Sequence, residues 1–386
     1  MVDEARNIEI FDTTLRDGEQ APGATMLISD KVKIASKLVD MKVGVIEAGF
    51  PAASAGDFKA VNEISKNSKT SIIAALSRSK RADIELAAKA IAPAKRRRIH
   101  TFISTSPIHM KYKLKMEPDD VLSAITDSVT LARNLSDDVE WSCEDGTRSD
   151  IEFLKRCFDR AMKAGATTVN IADTVGYILP FEFSALIKEI RSSVSNIEKA
   201  VFSVHCHNDL GMAVANSIAA IESGARQVEC TINGIGERAG NASLEEIVML
   251  LKTRADKLPY KTDVVTEHLT DVSKMVAEAT GFTVQRNKAI VGENAFAHES
   301  GIHQHGMIVN STTYEIMDPN AVGAPGSQII MGKHSGKHAL KKILTERGFN
   351  LTEPQIDRLM LEFKDYADHN KSVSEKYIFE IIDRII

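Results

Sequence analysis

Eight short runs rich in β-branched and aromatic residues recur along the first two thirds of the chain, and their spacing constrains the fold most strongly. They cover 8–14 (IEIFDTT), 43–50 (VGVIEAGF), 71–76 (SIIAAL), 98–104 (RIHTFIS), 138–145 (DVEWSCED), 167–173 (TTVNIAD), 201–207 (VFSVHCH) and 227–234 (QVECTING). Their starts follow one another at about 31 residues on average, the length of one strand-plus-helix unit. Amphipathic helical patterns fill the gaps. One runs from Ser29 with Val32, Ile34, Ala35, Leu38 and Val39 as its apolar positions. A second opens at Ser149, with Glu152 at capping-box spacing, and a third puts Pro180 at a first helical position. A fourth has Ser243 and Glu246 at capping-box spacing ahead of Ile247, Leu250 and Leu251. Eight strands alternating with helices predict an α/β fold, a TIM-type (β/α)8 barrel, over 1–270. A doubly wound open sheet is the alternative, but it uses fewer strands as a rule and no dinucleotide fingerprint follows the first strand.

After residue 270 the alternation stops. Residues 271–330 combine a helix at 271–280, a His/Gly-rich segment and a turn-rich stretch at 318–326, and read as a small mixed linker subdomain. Residues 331–386 read as a helical subdomain, with helices over 336–347, 353–370 and 375–386. A net charge of −5 offers nothing to nucleic acid or to an anionic membrane. The one basic run, Lys95 to Arg98, reads as a solvated turn. Cysteines 143, 157, 206 and 230 form no CxxC and no disulfide-like framework, as in a reducing cytosol. The start of the chain, Met1 to Arg6, carries acidic residues and no apolar core of a secretory signal. No apolar stretch approaches the roughly 20 residues that span a bilayer. A cytoplasmic protein is expected.

In such barrels the chemistry gathers at the C-terminal ends of the strands. Strand 7 ends in His205-Cys206-His207-Asn208-Asp209, and in an extended strand His205 and His207 share a face while Cys206 points away. The pair is either two neighbouring ligands of one divalent ion or two hydrogen-bonded core histidines. Two histidines joined by an aspartate and an amide oxygen would suit Mg²⁺, Mn²⁺ or Zn²⁺, with positions left open for substrate oxygens. The other strand ends are polar too: Asp12 to Gln20 after strand 1, Glu47 in strand 2, Glu144 and Asp145 in strand 5, Asn170, Asp173 and Thr174 in strand 6. A ring of such groups above apolar strand starts is hard to explain as packing. The glycines 234, 236 and 240 follow the last strand at GxGxxxG spacing with no GK[ST], and read as a tight active-site loop rather than a phosphate loop.

DTTLRDGEQ (12–20), the HCHND strand end, GIGERAGNAS (234–243) and HESGIHQHG (298–306) together resemble the Claisen-condensing, metal-dependent barrel acyltransferases. That family includes the 2-isopropylmalate, citramalate and homocitrate synthases, and the likeness spans essentially the whole chain. Within it, PGATM (22–26), IEAGFPAASAGDF (46–58) and HTFISTSPIHMKYKLKM (100–116) are most similar to the 2-isopropylmalate synthases. The resemblance implies that Asp17, His205 and His207 hold the metal, manganese, magnesium or zinc, with Asn241 as a further ligand. It implies that Arg16 stabilises the alkoxide formed from the 2-oxo acid and that Thr174 binds the acid's carboxylate. It places Leu76, His100, Ser142, Asn170 and Ala172 around the acceptor's tail, with Ala172 where relatives commonly carry proline.

Acetyl-CoA is the implied co-substrate, with His303 as the base that removes its methyl proton, Glu144 as that histidine's carboxylate partner and Tyr314 assisting. His303 and Tyr314 lie outside the barrel, so the resemblance implies a homodimer whose active sites are completed across subunits. His305 stands where the family often has aspartate, and Lys333 to Lys337 (KHSGK) matches a family segment with a coenzyme-side role. The expected reaction joins acetyl-CoA to 3-methyl-2-oxobutanoate on the way to leucine. Citramalate or homocitrate synthesis is the near alternative, and a metal-dependent acyl-CoA lyase or aldolase the distant one. The chain ends before the leucine-binding regulatory domain of many relatives, so a short form insensitive to leucine is expected.

Overall fold

The computed structural model of the chain describes residues 6–370, 373 and 375–385. Residues 1–5 and Ile386, which enter two of the expectations above, lie outside the described residues. The chain divides into two compact units, the first ending at Val284 and the second beginning at Gln285.

The first unit is a closed barrel of eight parallel strands, each hydrogen-bonded to its neighbours in sequence order and the last to the first. The strands are β1 (Glu9–Asp12), β2 (Val45–Glu47), β3 (Ile72–Arg78), β4 (Arg97–Ser104), β5 (Val139–Glu144), β6 (Thr168–Asp173), β7 (Val201–Cys206) and β8 (Gln227–Cys230). All eight expected runs are strands, each within a few residues of its expected span. The helices of this unit are α1 (Ile28–Asp40), α2 (Ala55–Asn67), α3 (Arg81–Ile91), α4 (Pro118–Leu135), α5 (Ile151–Ala164), α6 (Pro180–Ser193), α7 (Ala213–Glu222), α8 (Leu244–Thr253) and α9 (Leu269–Thr280). Pro180 sits at the start of α6 as expected, where the missing amide proton would have no intrahelical partner. The helix expected from Ser149 is instead capped one residue later. Asp150 accepts from the Phe153 amide, while the Ser149 hydroxyl donates to the Asp145 carbonyl.

Alternation along each strand sorts side chains between two environments. Trp141, Val169, Phe202 and Val228 pack outward under the helices; Trp141 meets Phe158 of α5 edge-on at 5.5 Å, and Phe158 stacks on Phe202 at 5.6 Å. The lumen is polar over much of its depth. At the strand starts, Arg98 on β4 donates to Glu140 on β5 at 3.0 Å and to Gln227 on β8 at 2.7 Å. Gln227 in turn donates to Glu140 and to Ser203 on β7, so one network ties four strands across the lumen. This corrects two expectations. The strand starts are not uniformly apolar, and the basic run is not all solvated, because strand alternation carries Arg98 inward while Arg96 and Arg97 stay exposed.

The second unit contains α10 (Gly301–Val309), α11 (Lys337–Glu346), α12 (Glu353–His369) and α13 (Glu375–Ile385). Leu340, Ile343 and Leu344 of α11, Leu359 and Phe363 of α12, and Ile378, Ile381 and Ile382 of α13 bury one another in a single apolar core. Before α11 the described residues of the unit also hold a pair of two-residue strands, Ala297–His298 with Gln328–Ile329, and short helical turns.

Removing Arg98 would strand the buried Glu140 carboxylate without its cation. We expect Arg98→Met to cost about 3–5 kcal/mol in urea unfolding, and Arg98→Met combined with Glu140→Leu to recover most of that loss. A loss below about 1 kcal/mol for the single variant would mean that the network does not brace the barrel.

Candidate functional site

Asp12 ends β1 and turns the chain. Its carboxylate accepts from the Thr14 amide at 3.0 Å and the Thr14 hydroxyl at 2.7 Å, and Thr14 Oγ1 accepts from the Ile232 amide at 2.9 Å. Burial pushes the Asp12 carboxyl up to about 7. Asp12 and Thr14 are thus the frame of the motif, and they aim Arg16 and Asp17 over the lumen.

Arg16 is pinned from two sides. Its Nε donates to Glu47 Oε2 at 2.6 Å and its Nη1 to Asp17 Oδ2 at 2.5 Å. Glu47 is fully buried and also accepts from Thr13 Oγ1 at 2.6 Å and from His100 Nδ1 at 2.7 Å. Burial alone would raise the Glu47 carboxyl, but Arg16 and His100 outweigh it and hold it down at about 2. Burial likewise works against the His100 imidazolium, and the Glu47 charge reverses this and lifts it to about 9. His100 Nε2 meets Ser142 Oγ at 2.6 Å, and Asn170 donates to the same hydroxyl at 2.9 Å.

Above this layer, donor atoms of Asp17, His205 and His207 all lie within 4.8 Å of one another. The loop after β8 brings in Asn241. It folds back on the end of β7 through Asn241 N to Gly234 O at 2.8 Å and Ala242 N to Cys206 O at 3.0 Å, so Asn241 bridges His207. Asn241 Nδ2 donates to Asp17 Oδ1 at 2.8 Å, which turns its Oδ1 to His205 Nε2, also at 2.8 Å. Gly236 is required here, because a Cβ would lie 2.2 Å from Asn241 Nδ2 and 2.9 Å from Asp17 Oδ1.

The electrostatics favour a cation at these four residues. Burial would raise the Asp17 carboxyl, but Arg16 and the two imidazoles overcome it and hold it well below the usual carboxylate range. Burial and the neighbouring His205 push His207 down to about 4, so near pH 7 it is the neutral imidazole that metals take. His207 Nδ1 is buried and has no hydrogen-bond partner. A neutral imidazole, an ionised carboxylate and an amide oxygen converging on the lone-pair side of a second imidazole fit a divalent ion. A second group, His100, Glu140 and Glu229, is equally close-set. Both His100 nitrogens and both Glu140 oxygens are already committed to hydrogen bonds, so that group reads as polar core.

Arg16, Asp17, His205 and His207 line a cavity of about 280 Å³ at the strand ends. Leu76, His100, Ser142, Asn170, Ala172 and Thr174 line it. Thr174 is partly engaged already: its hydroxyl accepts from the Asp145 amide at 2.8 Å and its carbonyl from Arg238 at 2.7 Å. Glu144 lines the cavity too, held by Lys113 at 2.5 Å and by the Ser104 hydroxyl.

Phe50, Phe102, Glu229 and Arg238 also line it and were not singled out from the sequence. Phe50 and Phe102 carry no sequence pattern that sets them apart from core aromatics. Glu229 carried a readable signal, a carboxylate at an inward position of a buried strand. Arg238 clamps Asp209 with two bonds, at 2.7 and 2.9 Å.

His303 and Tyr314 belong to the second unit. Their rings stack at 4.0 Å, beside His298, whose Nε2 meets Glu315 Oε1 at 3.2 Å. His305 does not join them; its ring lies 4.3 Å from His338, and both line an open cavity with His334.

Comparison with known proteins agrees with this arrangement. The family described as HMGL-like matches residues 7–276, and the family described as homocitrate synthase post-HMGL domain-like matches residues 290–371. A 2-isopropylmalate synthase of Bradyrhizobium sp. (strain ORS 278) is 59% identical over 376 residues, covering 97% of this chain and 72% of that protein. Another, from Rhodopseudomonas palustris (strain HaA2), is 58% identical over 380 residues, with 98% and 72% covered. Among solved structures, an HMG-CoA lyase from Pseudomonas aeruginosa superposes with a TM-score of 0.60 at 20% identity, covering 73% of this chain and 94% of that one, a likeness of fold alone. A barrel with this rim, matched over nearly its whole length at such identity, belongs to the HMGL-like family and, within it, to the 2-isopropylmalate synthases.

Proposed function

We propose that this chain condenses acetyl-CoA with 3-methyl-2-oxobutanoate and water to give 2-isopropylmalate and CoA, an acyl transfer of leucine biosynthesis. The observation that carries the reading is the close approach of Asp17, His205 and His207 beside a pinned Arg16, at the mouth of a cavity with an apolar side. The 58–59% identity to 2-isopropylmalate synthases supports it.

Asp17, His205, His207 and Asn241 would hold the divalent ion, Mn²⁺, Mg²⁺ or Zn²⁺, through two imidazole nitrogens and two oxygens. When bound, the ion supplies Lewis-acid polarisation of the acceptor's keto group and a counter-charge for its carboxylate. Arg16 contributes a cation that cannot act as a base, aimed by Glu47 at the oxygen on which negative charge develops as the new carbon–carbon bond forms. Preorganisation is its role: two carboxylates fix the guanidinium before substrate arrives. Thr174 orients the acceptor's carboxylate. Leu76 and Ala172, with Phe50 and Phe102, shape a wall for a branched aliphatic tail, and the polar side of His100, Ser142 and Asn170 closes the floor. His303, stacked on Tyr314, takes the methyl proton of acetyl-CoA, with Glu144 as its carboxylate partner. Water then cleaves the thioester carbon–sulfur bond, releasing CoA.

We place His303 and Tyr314 in the site of a second copy of the chain, with 271–330 as the linker that carries them there. A homodimer follows from that assignment. The four cysteines are unbridged and buried, which supports a reducing, cytoplasmic setting. No helix among the described residues is long and apolar enough to cross a membrane.

Free CoA thiol released from acetyl-CoA, with a panel of 2-oxo acids, tests the reaction. We expect release to be greatest with 3-methyl-2-oxobutanoate, dependent on Mn²⁺ or Mg²⁺ and abolished by chelator. Greatest release with pyruvate or 2-oxoglutarate would move the chain to citramalate or homocitrate synthesis, and no release with any acceptor would overturn the reading. Arg16→Lys should lower kcat about 100-fold or more while the KM for the acceptor changes little, because it removes a group that acts as charge develops. A fall of less than about three-fold would take Arg16 out of the reaction. If sites are shared across a dimer, mixing inactive His207→Ala with inactive His303→Ala chains should restore about a quarter of wild-type activity. No restoration under subunit exchange would place both residues in one chain's site.

A further inference from the structure

Glu229 lines the cavity but lies outside the donor set, and its carboxylate supports the metal-side histidines from below. It sits on β8 directly across from His205 on β7 in the strand register, with 1% of its surface exposed. Its Oε2 accepts from His205 Nδ1 at 2.6 Å, and its Oε1 has no hydrogen-bond partner. A buried carboxylate that served only to brace the barrel would be expected to satisfy both oxygens, as Glu140 does with Arg98 and Gln227. Glu229 instead spends its desolvation on one imidazole. His207 has no such support: its Nδ1 is unpartnered, and its ring is set by stacking on His205 at a centroid distance of 5.0 Å and an angle of 24°. The orientation of both rings therefore rests on the two bonds of His205, to Glu229 through Nδ1 and to Asn241 through Nε2, and Glu229 supplies the one on the side away from the other donors.

We propose that Glu229 is a positioning residue of the metal centre, holding His205 as the Nδ1–H tautomer so that Nε2 offers its lone pair toward Asp17 and Asn241. Its carboxylate also raises the donor strength of that imidazole, as outer carboxylates do for metal-bound histidines. His205 Nε2 lies 2.8 Å from Asn241 Oδ1 and 3.9 Å from Asp17 Oδ2, so the face that Glu229 leaves free is the face that the other donors share. The inference rests on the metal-site reading above and adds to it a residue that touches neither ion nor substrate.

Mn²⁺ affinity, followed by the EPR signal of the free ion in wild type, Glu229→Gln, Glu229→Ala and His207→Ala, separates the two. Glu229→Gln keeps the shape and an acceptor oxygen but removes the charge, and we expect about ten-fold weaker binding. Glu229→Ala removes the acceptor as well, with an expected loss approaching 100-fold. Circular dichroism and the melting temperature of each variant identify any loss that comes from unfolding, and the isosteric Glu229→Gln decides the matter if Glu229→Ala does not fold. Wild-type affinity in a folded Glu229→Gln, with His207→Ala impaired, would overturn the role of Glu229 alone. Failure of the wild type to bind Mn²⁺, or full binding by His207→Ala, would overturn the metal site and this inference with it.

Discussion

The pairing of Arg16 with Glu47 is the contact on which the site depends. A buried ion pair is weak evidence for stability, because taking both charges out of water offsets most of their attraction. What it does fix is direction. Glu47 is a hub: one oxygen receives Arg16 and Thr13, and the other receives His100, so two groups from the loop after β1 and one from β4 share one carboxylate on β2. Arg16 then passes the constraint to Asp17, and Asp17 to Asn241 and the loop after β8. A guanidinium held this way can act as charge develops with little reorganisation, which is the condition for large electrostatic effects on a barrier.

Such a hub needs a polar lumen, and a barrel can supply one only where every buried group finds a partner. The lower layer, Arg98, Glu140, Gln227 and Ser203, meets that condition with bonds that include two between strands that are not neighbours, Arg98 to Gln227 and Gln227 to Glu140. Arg98 Nε, which has no hydrogen bond, is ion-paired with Asp138 at 3.0 Å. The upper layer meets it less completely. Asn170 Oδ1, His207 Nδ1 and Glu229 Oε1 lack partners, and all three residues line the cavity. Completeness below and incompleteness above divide the lumen into a part that holds the strands together and a part that waits for ligands.

Much of this was legible in the sequence, and the reasons are physical. Strand spacing and helix amphipathicity are local patterns, so the eight-strand alternation and the barrel followed directly from them. His205 and His207 were readable because a two-residue period puts them on one face. Arg98 was misread, since a basic run looks solvated until strand alternation is applied through it residue by residue. The Ser149 cap failed because Asp150, one position on, takes the cap with a charged acceptor for the Phe153 amide, while the Ser149 hydroxyl turns to the Asp145 carbonyl. The partnership of Glu47 with Arg16 and of Glu229 with His205 depends on which strands become neighbours and how they register, and no local pattern carries that. The roles of Asp17, Asn241 and His303 came from resemblance, because residues far apart in sequence declare a shared task only in a family motif or in space.

The two histidines also divide the work of binding a cation reversibly. Burial opposes charge on both, but the Glu229 carboxylate reverses this for His205 and raises it, whereas nothing comparable faces His207, which stays low. Near pH 7 His207 is therefore neutral and Asp17 ionised, the forms in which each would serve as a ligand. Asn241 joins the two sides, its amide nitrogen tied to Asp17 and its oxygen facing His205 Nε2. Gly236 makes this possible by leaving the space that a Cβ would take from the Asn241 amide. The loop after β8 thus works with the strand beneath it: one side presents the oxygen that would share the ion, and the other holds the imidazole whose Nε2 faces that oxygen.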